Sequence, residues 1–151
     1  MQNKEKNFRS MEQIRAGKTW AMVQQAVQQK AIKEYAPLAK KLPGLIHQNG
    51  LGQTMAFMFS KYKDKHFKLL GEQIASWVMD KLQNKDMMQY SLPEIKNSNY
   101  IQKFICQIRD NDARYYRLAT REALSLLNVL RNFASGVKQE TQKPEKNVEK
   151  S

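Results

Sequence analysis

Apolar residues recur along the chain every three or four positions, which is the period of an α-helix. No stretch alternates between apolar and polar residues as a half-buried strand does. The apolar stripes begin at Ala16, Tyr35, Leu51, Phe67, Ile101 and Tyr116. The pattern therefore predicts an all-α fold, a compact bundle of about five to six helices.

Local signals predict where the first and last helices begin. Ser10 stands three residues before Gln13, the spacing of a capping box, so the first helix should start there. Asp110, Asn111 or Asp112 can cap the last helix, because a short polar side chain accepts hydrogen bonds from the free amides of the first turn.

Other signals predict breaks. Pro37 and Pro43 interrupt the second stripe and predict a kink or a short break there. Asn49-Gly50-Leu51-Gly52 should close one helix and open the next, since Asn and Gly tolerate positive φ. Ser91-Leu92-Pro93-Glu94 is typical of a further helix start, and Gly136 is expected to end the last helix.

The length of 151 residues suits one domain, which can bury roughly 70% of the unfolded chain's surface. We expect the helical domain to span residues 10–136. Residues 1–9 should form a flexible basic extension, and residues 137–151, which are almost all polar, a disordered charged tail.

The net charge is the feature of the composition that says most about possible partners. The 26 Lys and Arg face 14 Asp and Glu, so the net charge is +12. Nucleic acid is the commonest partner of so basic a domain, an anionic membrane is the competing one, and solubility alone is the third interpretation.

The remaining composition points to a reducing compartment. Cys106 is the single cysteine and stands among Phe104, Ile105 and Ile108, so we expect a small buried thiol. No apolar run approaches the roughly 18 residues of a membrane span and no secretory signal is present, so a cytoplasmic protein is expected.

Catalytic and metal-binding patterns are missing from the sequence. His47 and His66 lack ligand spacing or a triad context, and no phosphate-binding glycine loop occurs. Asp110 and Asp112 lack the other oxygens of a calcium loop, so capping is the favoured role. We expect no cofactor, no metal and no enzymatic activity; a small nuclease using Asp110, Asp112 or His66 is the weakest alternative.

A helix-turn-helix is also disfavoured. The helix after Gly50 offers Met55, Phe57 and Met58 where a recognition helix needs polar side chains. Phe57 and Leu124 lie off the apolar stripes, which leaves a protein-contact surface and core burial equally open.

Basic residues spaced three or four apart share one edge of a helix and suit phosphates at backbone spacing. The candidates are Arg15, Lys18, Lys40, Lys41, Arg114, Arg117 and Arg121. Each alone is typical of a solvated face; together with the net charge they favour phosphate binding. Contact with about five phosphates predicts a log–log salt slope of about −3.5 on a single strand. Aromatic residues do not interleave with these cations, so base stacking is not expected as the main mode.

Several motifs occur in order over residues 10–135, among them Asn49-Gly50-Leu51-Gly52-Gln53 and Ala119-Thr120-Arg121-Glu122-Ala123-Leu124. Through them the chain resembles the small subunit of the type III-B (Cmr-type) CRISPR effector complex. The resemblance implies a helical bundle without enzymatic activity, several copies of which stack as a minor filament. Its implied partners are guide RNA, target RNA, the backbone and large subunits, and other copies of itself, with no membrane.

The resemblance also bears on single residues. Six of the basic candidates, all except Arg114, fall in or beside its motifs and are implied phosphate contacts. Asn132 stands where a second arginine often follows in this family, so a contact there is not expected. The alternative from the residues alone is a free-standing, basic, helical nucleic-acid-binding protein.

Overall fold

The computed structural model describes residues 9–150, and side chains as far as Gln142; within that range it contains five α-helices and no strand. The helices are α1 (Met11–Gln28), α2 (Ile32–Ser60), α3 (Lys65–Leu82), α4 (Tyr100–Asp110) and α5 (Ala113–Lys150), with a 3-10 turn at Met87–Gln89. The all-α prediction is confirmed. The predicted flexible extension at residues 1–9 lies, apart from its last residue, outside the described residues.

Both predicted helix starts are confirmed. The Ser10 hydroxyl accepts the Gln13 N–H at 3.1 Å, and Gln13 Oε1 accepts the Ser10 N–H at 2.9 Å, which completes the capping box. At α5, the Asp112 carboxylate accepts the Tyr115 N–H at 2.9 Å. Short-range capping of this kind depends only on neighbouring residues, which is why the sequence predicts it.

The break in α2 lies at Gly50, where φ is 84° and ψ is 161°, and not at the prolines. The helix runs through Pro37 and Pro43, so of the predicted kink or short break there, the break is wrong. Each proline costs one backbone hydrogen bond, but their neighbours Leu38 and Leu42 are buried and hold the helix against the bundle.

Two further boundary predictions are wrong. No helix starts at residues 91–94. Pro93 is buried, and its carbonyl accepts a side-chain N–H of Gln25 at 2.9 Å, a tertiary contact that holds this segment against α1. At the other end, α5 continues through Gly136 to Lys150, so Gly136 does not end the last helix. Val137 packs against the core beyond Gly136, and Lys, Gln and Glu after it are good helix formers.

The core centres on α3, in which every residue from 69 to 79 is buried. This helix packs against α2, α4 and α5, and α2 also packs along α5. Trp77, Tyr35 and Phe104 are the largest fully buried side chains. None of the helices in the described part of the chain combines the length and apolarity that crossing a bilayer requires.

Trp20, which continues the apolar stripe that begins at Ala16, and Cys106, which was expected to be buried, both lie at the surface. Trp20 is 48% exposed and packs edge-to-face on Phe133 at 5.4 Å, because it covers the outer seam between α1 and α5. Cys106 is exposed as well, so the predicted buried thiol is wrong. The short helix α4 buries the side that carries Ile101 and Phe104, and Cys106 lies on the opposite side.

Candidate nucleic-acid interface

A groove of about 760 Å³ lies where α2 packs along α5. On the α2 side it is lined by Pro43, Gly44 and His47. Gly44 has no side chain, and apart from its chain neighbours and its own helix backbone no described atom lies within 4 Å of the position of a Cβ, so the groove is open to solvent at this point. The α5 side supplies Arg117, Thr120, Arg121, Leu124, Ser125, Asn128 and Arg131.

The groove is electropositive. Three of its lining residues are arginines, and among the described residues that line it there is no carboxylate. The ion pairs seen in the described part of the chain, such as Arg15–Glu122 and Lys85–Asp80, lie elsewhere. Fixed positive charge without an internal counterion attracts anions.

Arg131 has unused hydrogen-bonding capacity. Its Nε is buried without a hydrogen-bond partner among the described residues, and its Nη2 is 3.5 Å from the Asn128 side-chain oxygen. A buried N–H that lacks an acceptor is unfavourable. An anion in the groove would supply acceptors for this guanidinium.

The structure brings together two of the seven predicted phosphate contacts. Arg117 and Arg121 are exposed and line the groove side by side, as their spacing of four residues requires. Arg114 is exposed on the same helix, outside the groove lining. Lys40 is exposed on α2, and Lys41 lines a neighbouring pocket on another side of that helix.

Arg15 and Lys18 have partners inside the molecule. Arg15 Nη2 donates to Glu122 Oε1 at 3.1 Å, and the two side chains are only 17% and 12% exposed. Lys18 Nζ donates to the Tyr90 carbonyl at 2.9 Å. These contacts tie α1 to α5 and to the segment after α3, so both cations contribute to the packing of the bundle.

Two basic side chains of the groove, Arg131 and His47, are not among the predicted phosphate contacts. Arg131 lies on the same face of α5 as Arg117, because fourteen positions correspond to nearly four whole turns, and that spacing could have revealed it. His47 comes from a different helix. Its proximity to the arginines follows from the packing of α2 on α5, for which the sequence carries no local signal.

Asp110, Asp112 and His66, the residues named for a nuclease, each contact a residue near them in sequence. The Arg109 guanidinium donates to both oxygens of Asp110, at 2.7 and 3.1 Å, and this hydrogen bonding holds the pKa of the Asp110 carboxyl below its ordinary value. Asp112 caps α5. His66 packs beside Phe67 at the start of α3. Across the described residues, no three His, Cys, Asp or Glu side chains are grouped as metal ligands.

The sequence of the chain is similar to the sequences of known proteins. Residues 11–137, the greater part of the chain, match the family described as CRISPR-associated protein (Cas_Cmr5). Over 68 residues the chain is 38% identical to the CRISPR system Cmr subunit Cmr5 of Thermus thermophilus, which is 45% of this chain and 59% of that relative. The alignment thus spans less than two thirds of the relative's length. The family match confirms the resemblance found in the sequence, and the chain belongs to the Cmr5 family of CRISPR-associated proteins.

Proposed function

We propose that the chain is a non-catalytic small subunit of a type III-B (Cmr) CRISPR ribonucleoprotein that acts in antiviral defence. The match of residues 11–137 to the Cmr5 family is the observation that carries this proposal. The relative in Thermus thermophilus is named as a Cmr subunit.

In this proposal several copies stack as a minor filament along the duplex of guide RNA and target RNA, beside the backbone and large subunits. The groove between α2 and α5 is the surface that contacts RNA phosphates, through Arg117, Arg121 and Arg131 with His47 opposite. Guanidinium groups in a row match phosphates geometrically and carry no base information. The subunit would thus bind along a guide RNA of any sequence.

Co-expression with the other subunits of a Cmr complex and a guide RNA tests the proposal. Native mass spectrometry of the purified particle should find two or more copies of this chain. The variant Arg117→Glu/Arg121→Glu should enter the particle poorly while its helical signal and melting temperature stay nearly unchanged, since both residues are exposed. The matched control is Lys96→Glu/Lys103→Glu, which makes the same change in charge at exposed positions outside the groove.

The outcomes separate the alternatives. A single copy per particle would contradict stacking as a filament. A steep fall in the melting temperature of the arginine variant would mean that Arg117 and Arg121 stabilise the fold and would contradict their role as phosphate contacts. If the chain is absent from the particle and the free chain binds RNA stably at about 150 mM salt, the chain is a free-standing nucleic-acid-binding protein and not a subunit.

A further inference from the structure

A second pocket, of about 690 Å³, lies against another side of α2 and has a different chemistry from the basic groove. Two apolar side chains, Leu45 and Phe57, form part of its wall, and Lys41 provides one cation. Its other lining residues carry side-chain amides or a hydroxyl: Gln48, Asn49, Gln53 and Thr54.

The Phe57 ring is available to a ligand and is held in place. It is 36% exposed, and Phe67 packs edge-to-face on it at 5.7 Å. Exposed aromatic faces are the surfaces on which unpaired bases stack. The amides of Gln48, Asn49 and Gln53 each offer two N–H donors and a carbonyl acceptor, which suits the polar edge of a base.

The pocket and the groove are neighbours across α2. With about 3.6 residues per turn, Pro43, Gly44 and His47 face the groove, whereas Lys41, Leu45 and Gln48 face the pocket. Gly44 lies at the boundary between the two faces. It is exposed, and apart from its chain neighbours and the backbone of its own helix no described atom lies within 4 Å of the position that a Cβ would occupy there. A strand that crosses α2 at this point would meet no side chain of residue 44.

We propose that this pocket binds one unpaired base of an RNA strand whose phosphates lie in the basic groove. The inference rests on the proposed function, because it requires RNA phosphates beside Arg117 and Arg121. The strand would cross α2 at Gly44, place its base on the Phe57 ring and leave Lys41 near the next phosphate. The side-chain amides and the Lys41 cation of the pocket, on the same helix as an electropositive groove, favour an RNA base over an apolar segment of a protein as the occupant.

Equilibrium binding of the full chain tests this directly. The probes are a fluorescent oligoribonucleotide of about eight residues and an abasic oligomer of the same length and charge. The wild type should bind the base-containing oligomer between about five-fold and about 100-fold more tightly, the range expected for stacking of one base. Phe57→Leu, which keeps apolar bulk against Phe67, should bring this ratio close to one.

Phe59→Leu is the matched control, because Phe59 is 42% exposed on the same helix and does not line the pocket. It should keep the wild-type ratio. Arg117→Glu/Arg121→Glu should weaken both oligomers alike and leave the ratio unchanged. Melting curves of each variant check that the fold is intact.

The outcomes distinguish the pocket from the groove. Equal binding of both oligomers by the wild type, or a ratio that Phe57→Leu does not change, overturns the base pocket and leaves the phosphate contacts standing. Failure of both oligomers to bind even at low salt overturns the pocket and the phosphate contacts together. If Phe57→Leu leaves the ratio intact but prevents entry into the Cmr particle, the surface contacts protein instead.

Discussion

The hydroxyl of Tyr116 on α5 lies 2.8 Å from the position that a Cβ atom would occupy at Gly50 in α2. The same hydroxyl accepts the Gly52 N–H at 3.1 Å. Because Gly50 is the residue with non-helical φ and ψ inside α2, a side chain of α5 thus holds the break of α2 in place. The break redirects α2 between the residues that line the groove and Phe57.

Gly50→Ala should destabilise the protein by about 3 kcal/mol, which combines the strain of an L-residue in this region of φ and ψ with the overlap with Tyr116. Urea denaturation measures the loss. Gly17→Ala is the control, because Gly17 lies inside α1 and, apart from its chain neighbours and its own helix backbone, no described atom lies within 4 Å of the position of a Cβ. This variant should be more stable than the wild type by about 0.5 to 1 kcal/mol. A Gly50→Ala variant as stable as the wild type would contradict the proposed strain.

Glu122 accepts two hydrogen bonds with one oxygen, from Arg15 at 3.1 Å and from the Trp77 indole N–H at 2.9 Å. Glu122→Gln removes the counterion of a largely buried guanidinium and should cost about 2 kcal/mol of unfolding free energy. Arg15→Gln should cost a similar amount and leave RNA affinity unchanged. Guanidinium denaturation and RNA titration of the same samples measure both quantities.

Glu94→Gln serves as the control for this pair, since Glu94 is exposed, and should change stability by less than about 0.5 kcal/mol. A loss of RNA affinity in Arg15→Gln without a loss of stability would show that Arg15 contacts RNA, as its position in the sequence motif implies.

What the sequence predicts well is determined by near neighbours. The capping box at Ser10, the Asp112 cap and the positive φ at Gly50 each depend on a few adjacent residues. The end of α5 is different, because Val137 beyond Gly136 packs against the core of the bundle and the local signal at Gly136 does not reveal that contact. Helix type and number were therefore predictable, whereas the end of the last helix was not.

The residues of the candidate site also differ in whether near neighbours in the sequence or packing between helices determines their position. Spacing on one helix correctly predicts that Arg117 and Arg121 lie together. The same kind of spacing places Arg15 on a helix edge but cannot show that its partner is Glu122, which stands 107 positions later. His47 and Phe57 acquire their roles through packing between helices and through the break at Gly50, so no local pattern identifies them.

The salt dependence of RNA affinity tests whether the groove contacts phosphates. Each phosphate contact on a single strand contributes about 0.7 to the log–log slope of affinity against salt, so Arg117→Glu/Arg121→Glu should make the slope shallower by about 1.4. Lys96→Glu/Lys103→Glu, with the same net charge, should leave the slope near its wild-type value. Titration of a short RNA at several salt concentrations measures both slopes. Equal slopes for the two variants would mean that net charge, and not the groove, attracts the RNA.

Alkaline pH should unfold the protein through its buried tyrosines. Burial raises the pKa of Tyr35 well above its ordinary value and also raises the pKa of Tyr90. A phenol whose folded pKa is raised contributes stability that is fully present below its unfolded pKa of about 10 and is lost as the pH rises above that value. The unfolding free energy should hence fall steadily above about pH 10, and tyrosinate absorbance should rise together with loss of the helical signal. Tyr90→Phe should reduce the slope of that fall. Ionisation of both tyrosines near pH 10 with the helices intact would contradict the effect of burial.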